Sequence, residues 1–235
     1  MRYRIALAAS VALVGLAGCD FPADPEDTLE NARGGTLRVG VIENEPWVVL
    51  NGKEEPTGVE PELVRAFAES IDAEINWVEG SADELAPAVG GWQLDMLIGG
   101  LTADFPHPED VVMTRPYIDT EIELGGPPGT DLPDDRDGLE IYVERGSEAA
   151  ALLRHKESET TPIPYNSLSE VDGVVLADSY ELEALGYEPT GDILRDDDHA
   201  MGAPPGENAF LIELEEFLLE RKDQAASLLT EEVSR

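Results

Sequence analysis

One feature constrains this chain most: runs rich in branched apolar residues alternate with amphipathic ones from Leu37 to Gly100. "LRVGVI", residues 37–42, reads as a strand by its β-branched content. "EPELVRAFAESI" reads as a helix. Pro61 suits its first turn, and Leu63, Val64, Phe67, Ala68 and Ile71 form an apolar stripe. "EINWV" is the next strand. "SADELAPAV" opens on Ser81 with Glu84 three residues on, a capping-box pattern, and Pro87 keeps that helix short. "LDMLIGG" is a third strand. Strand, helix, strand, helix, strand predicts a parallel α/β sheet.

A second, leaner run follows the turn-rich "GGPPGTDLPDDRDG". "LEIYVERGS" is a strand, "EAAALLRHK" a helix, "IPYNS" and "GVVLAD" two more strands, and "SYELEALGY" a short helix. One long helix is expected at Asn208–Leu229, with Phe210, Leu214, Phe217, Leu218, Ala225 and Leu228 on one side. Two α/β units of this size predict two lobes facing a cleft, a favoured place for a ligand.

The 235 residues carry 51 acidic and 15 basic side chains, a net charge of −36. That balance argues against nucleic acid as a partner, because binding to its phosphates rests mainly on Lys and Arg contacts. Self-repulsion of this size weakens as salt screens it. Added NaCl is expected to raise the melting temperature, and an unchanged value would refute that expectation.

The N-terminus joins a basic "MRYR" to the 14-residue apolar run "IALAASVALVGLAG". This is a signal peptide in form, too short to span a bilayer comfortably. Its end, "LAGC", resembles the bacterial lipobox, which implies that Cys19 carries the lipid. Cys19 is the only cysteine, so no intrachain disulfide competes for it. Asp20 resembles an inner-membrane retention signal. Removing residues 1–18 takes away Arg2 and Arg4 and leaves 217 residues with a side-chain charge of −38. "DFPADPEDTLENARGG" reads as an acidic tether with one helical turn at Thr28 to Arg33.

Several of these stretches together resemble the family 3 extracellular solute-binding proteins of bacterial ABC importers. "LRVGVIENEPW" is similar to the family's opening strand and turn. "GVEPELVRAFA" resembles its helix start, with Glu62 where an aspartate is usual. "LDMLIGGLTAD", "MTRPY", "IYVERGS" and "DGVVLAD" resemble its ligand loop, its "FS-x-PY" segment and two second-lobe strands. The resemblance implies a two-lobed type 2 periplasmic-binding-protein (Venus-flytrap) α/β fold, with hinges near Asp119–Leu124 and Asp198–Ala203. The expected division is signal peptide 1–18, tether 19–35, first lobe 36–121, second lobe 122–200, and a return to the first lobe over 201–235.

The same resemblance points to nine candidate ligand-binding residues. Family members place an arginine five residues after the loop's Ser/Thr to grip a ligand carboxylate, for which a planar fork is suited. Here Thr102 leads to His107, so the usual anion clamp is missing; His107 either touches the solute or is a solvated loop histidine. Thr102 and the backbone of Gly100 lie at ligand positions, or simply make a strand-to-loop turn. Trp47 either holds the solute on its face or packs in the core. Asp104 adds charge to the site or caps a turn. Gly146 and Ser147 open a helix whose free N–H groups favour an anion, and Ser147 is also an ordinary N-cap. Asp178 aligns with the aspartate that receives the ligand's ammonium group, and "DSYE" is itself an N-cap pattern. Glu43 lines the same mouth. The acids among these suit an amine-bearing solute.

No Ser/His/Asp motif and no zinc-ligand spacing is evident, since His107, His155 and His199 are scattered. A cyclohexadienyl dehydratase, an enzyme of this fold, would need a carboxylate substrate, which the missing arginine argues against. The expectation is therefore a monomeric binding protein, not an enzyme, without metal or cofactor. It takes a small polar solute, amino-acid- or amine-like, and serves an ABC permease or another inner-membrane protein. It sits on the periplasmic face of the inner membrane, or on the cell surface if there is no outer membrane. The other class left open is a sensing or accessory lipoprotein.

Overall fold

The computed structural model describes residues 22–52, 54–133, 136–156, 160–165, 171–184 and 186–233. The leader, Cys19, Asp20 and the end of "IPYNS" lie outside them. Among the described residues no helix is long and apolar enough to cross a membrane.

The first half opens with α1 (Thr28–Ala32), β1 (Thr36–Val41), α2 (Val59–Ser70), β2 (Glu74–Glu79), α3 (Ala82–Gly90) and β3 (Met96–Leu101). β1 lies between β2 and β3, parallel to both, with Thr36 opposite Glu74 and Val39 opposite Met96. Leu37, Val39 and Val41 are fully buried. The expected stripe of α2 is buried to its last member, Ile71. Glu84 accepts hydrogen bonds from the Ser81 N–H (3.1 Å) and hydroxyl (2.9 Å), which closes the box at the start of α3.

β4 (Val112–Met113) follows, and the second half holds β5 (Ile118–Gly126), β6 (Glu140–Glu144), α4 (Glu148–Lys156), β7 (Thr161–Tyr165), β8 (Val175–Asp178), α5 (Ser179–Ala184) and β9 (Glu188–Ala203). β6 sits between β7 and β8, again parallel to both. The sheet runs β2-β1-β3-β9-β5-β8-β6-β7, with β4 beside β9. The long antiparallel pair β5–β9 therefore joins the halves; the expected hinge segment Asp119–Leu124 lies in it, and the segment Asp198–Ala203 begins in it. The last residues of β9 pair with β3 and β4 in the first half.

Two expectations are corrected. The single C-terminal helix is two, α6 (Asn208–Leu219) and α7 (Lys222–Val233). Arg221 ends the first by stacking 3.7 Å from the Phe217 ring and donating to the Phe217 carbonyl at 3.3 Å, so a cation satisfies the helix end. The stretch expected to be a tether is docked from Asp24 onward. Glu207, 1% exposed, accepts from the Glu26 and Thr28 N–H groups at 3.1 and 3.2 Å, at the start of α1. Asp24 accepts from Leu29 (2.8 Å) and from Phe210 near the start of α6 (3.3 Å). Acidic side chains here supply the acceptors that the first N–H groups of a helix lack.

Candidate solute-binding cleft

The loop after β3 is held from below by one buried acid. Glu60, in the first turn of α2, is fully buried. Its carboxylate accepts from the Gly99 N–H at 2.6 Å, the Gly100 N–H at 2.9 Å and the Tyr117 hydroxyl at 2.8 Å. Burial pushes this carboxyl up to about 7, and the three donors pull against that rise. Desolvation, with Glu60 second, also pushes the Tyr117 phenol up.

The paired glycines have a steric cause. Gly100 has φ +65°, and a Cβ there would sit 2.5 Å from Trp47 Cδ1 and 2.7 Å from Asn44 Nδ2. The close approach at Gly100 is therefore made by Trp47 and Asn44. The Asn44 amide donates to the Gly99 carbonyl at 2.9 Å and completes the clasp.

Trp47 is 3% exposed. His199 stacks on its ring at 3.9 Å, and Tyr117 and Tyr180 meet it edge-on at 6.4 and 6.3 Å. Trp47 borders the cleft, and His199 occupies one face of its ring. His199 Nε2 lies 2.9 Å from Thr120 Oγ1, which ties β9 to β5. Its Nδ1 has no hydrogen-bond partner among the described residues. Burial pushes the imidazole down to about 4, opposed by Asp197.

A cleft of about 570 Å³ opens between the two halves, within the size range of small-molecule sites. From the first half it is bordered by Asn44, Glu45, Trp47, Gly100, Thr102 and Asp104. From the second half come Glu144, Ser147, Asp178, Tyr180 and Glu181. The β5–β9 pair supplies Ile122, Arg195, Asp197 and His199. Burial pushes the Glu181 carboxyl up. Ser147 acts as the N-cap of α4, accepting from the Ala150 N–H at 3.1 Å while donating to the Glu144 carbonyl at 2.9 Å.

Six of the nine expected residues thus border the cleft: Trp47, Gly100, Thr102, Asp104, Ser147 and Asp178. Glu43, His107 and Gly146 do not. Glu43 and Gly146 are exposed elsewhere. His107 is turned away, with Nε2 2.9 Å from Asp83 and Nδ1 4.0 Å from Asp110, because acids outside the cleft offer it better partners. His107, Glu109 and Asp110 bring potential metal-ligand atoms within 4.8 Å of one another, outside the cleft. The sequence reading missed Asn44, Glu60, Tyr180, Arg195, Asp197 and His199. The signal for three of them was a period of two: Arg195, Asp197 and His199 alternate with the exposed Asp196 and Asp198.

The family model for bacterial extracellular solute-binding proteins, family 3, matches residues 37–226. The chain belongs to this family. Among curated relatives of this solute-binding protein, the L-arginine-binding protein of Pseudomonas aeruginosa is 26% identical over 77% of this chain and 71% of its own length. A membrane-bound lytic murein transglycosylase F of Pseudomonas fluorescens is 29% identical over 74% of this chain and 36% of its own length. The chain spans as little as 17% of other relatives that it matches. Among solved structures, an ancestral cationic amino acid solute binding protein aligns with a TM-score of 0.68 at 15% identity, over 88% of this chain and 99% of that one. The fold is the two-lobed one that the sequence motifs implied.

Proposed function

We propose that this chain is the lipid-anchored, periplasm-facing receptor of an ABC importer, capturing a small amine-bearing solute of the amino-acid type. One observation carries the reading. The cleft is bordered by the acids Glu45, Asp104, Glu144, Asp178, Glu181 and Asp197, while Arg195, already paired with Asp197, is the sole Lys or Arg among the described residues that border it. Such a lining attracts a cation and repels an anion, and low-dielectric walls strengthen both effects. Asp178, at the end of β8, is the acid expected to receive the ammonium group. The arginine-binding relative supports the same chemistry. The lipid anchor rests on "LAGC" with its single Cys19, and import rests on the family.

A thermal-shift screen tests the reading, with amino acids, polyamines, quaternary amines and small organic acids at fixed salt. A specific ligand at 100 times its Kd stabilises a fold by about 2.7 kcal/mol, a visible shift. Shifts confined to amine-bearing compounds are expected. A shift with dicarboxylic acids alone would overturn the reading, and silence across the panel would turn it toward an accessory lipoprotein.

A further inference from the structure

Because His107 is turned toward Asp83, no cationic side chain of the ligand loop is placed to hold a solute's carboxylate. The cleft contains one guanidinium that is, and it lies on the strand pair joining the halves. Ile122 of β5 is opposite Asp178 of β8 on one side and opposite Arg195 of β9 on the other. Residues aligned across a sheet share a face, and all three border the cleft. Two strand spacings put the Asp178 and Arg195 backbones about 10 Å apart, with Ile122 as an apolar floor between them. A carboxylate on one flank and a guanidinium on the other leave room for the neighbouring ammonium and carboxylate groups of an α-amino acid.

The guanidinium is already engaged. Arg195 Nε and Nη2 lie 2.7 and 2.6 Å from one oxygen of Asp197. The pair is largely buried, at 24% and 9% side-chain exposure. A carboxylate two residues along the same strand therefore fills the edge of the fork that a solute's carboxylate would need.

We infer that Arg195 is the carboxylate clamp of this cleft, shifted from the ligand loop to β9, and that Asp197 holds it as an internal stand-in that an α-amino acid displaces. This rests on the proposed amine-bearing solute and narrows it to a zwitterion gripped at both ends of the Asp178–Ile122–Arg195 row.

Calorimetric titration with two pairs of probes tests the inference: L-arginine against agmatine, and L-lysine against cadaverine. Each amine lacks only the carboxylate. Wild type is expected to prefer the amino acid of a pair by about 30-fold or more, the scale of a lost buried charge contact. Arg195→Gln should erase that preference while still binding the amine, which also shows that the variant is folded. The double variant Arg195→Gln/Asp197→Asn, which leaves no unpaired buried charge, should behave alike. Asp197→Asn alone should tighten the amino acid by about tenfold, the scale of a charge-assisted hydrogen bond no longer contested, and leave the amine unchanged. Retained preference in both Arg195 variants would overturn the inference, as would equal weakening of both probes by Asp197→Asn. Wild type binding only the amines would overturn it while leaving the amine-bearing solute in place. Wild type binding none of the four would remove that reading and the inference with it.

Discussion

The two halves share one arrangement and differ in what fills it. β2-β1-β3 and β7-β6-β8 are the same three-stranded parallel unit. The first is covered by the 12-residue α2 and by α6, with Phe67 meeting Phe210 and Phe217 edge-on at 5.9 and 5.2 Å. In the second, the core between β6 and α4 is aliphatic, built from Ile122, Leu124, Ile141, Val143, Leu153, Leu176 and alanines, and a smaller cluster holds Tyr165 with the partly buried Tyr142 and Tyr187. Rings bury more area than aliphatic side chains and add an edge-to-face term. The first half should hold its shape while the second half opens locally. A receptor that closes on a solute needs one firm jaw, and the firm one carries the ligand loop.

A cavity cut into each core should act differently in the two halves. Phe210→Ala should cost about 4 kcal/mol and unfold the whole chain at lower denaturant. Leu153→Ala should cost about 3 kcal/mol and appear in hydrogen exchange as lost protection of β6–β8 amides alone. Equal loss of protection in both halves from Leu153→Ala would show a single cooperative unit.

Next come two buried groups that respond to pH in opposite directions. His199 has its imidazole pushed down to about 4, so its contribution is fully present above the unfolded value of about 6.5. It is lost as pH falls from there toward 4. Against His199→Gln, wild type should lose about 3 kcal/mol across that window. Glu60, pushed up to about 7, binds its proton in the folded state, so its contribution is present at low pH. It is lost as pH rises from the ordinary glutamate value toward 7. Against Glu60→Gln, wild type should lose about 3 kcal/mol on going up through that range. Stability curves of the three proteins by chemical denaturation read both differences. A parallel set of curves would show that neither group titrates differently in the folded and unfolded states.

Gly100→Ala should cost about 2 kcal/mol, because φ is positive and the new Cβ meets Trp47. The same variant should weaken solute binding, since it shifts the loop that Glu60 and Asn44 hold. The smallest effect belongs to His107→Ala. Its partner Asp83 is 89% exposed, so less than about 0.5 kcal/mol should be lost. Affinity should not change, and a binding defect would restore the loop clamp that the geometry denies.

Legibility followed packing. The α2 stripe and the Ser81–Glu84 box were readable because their partners lie within a few residues. So was Asp178 at a strand end. The docking of Asp24 and Glu207 was not, because their hydrogen bonds span about 180 residues of sequence. Arg195, Asp197 and His199 hid in "LRDDDHA", a charge run that reads as a solvated hinge until its alternate members are seen to face the cleft. Glu60 hid because an acid in a helix's first turn usually faces water.

In the proposed function, the acidic cleft selects an amine-bearing amino acid through Asp178. The most direct measurement is calorimetric titration of wild type and Asp178→Asn with L-arginine, L-lysine and L-glutamate. A basic amino acid should bind wild type with a Kd of about 1 μM, the glutamate should not bind, and the variant should lose about 30-fold in affinity. Tighter binding of L-glutamate than of either basic amino acid, or full affinity in Asp178→Asn, would contradict it.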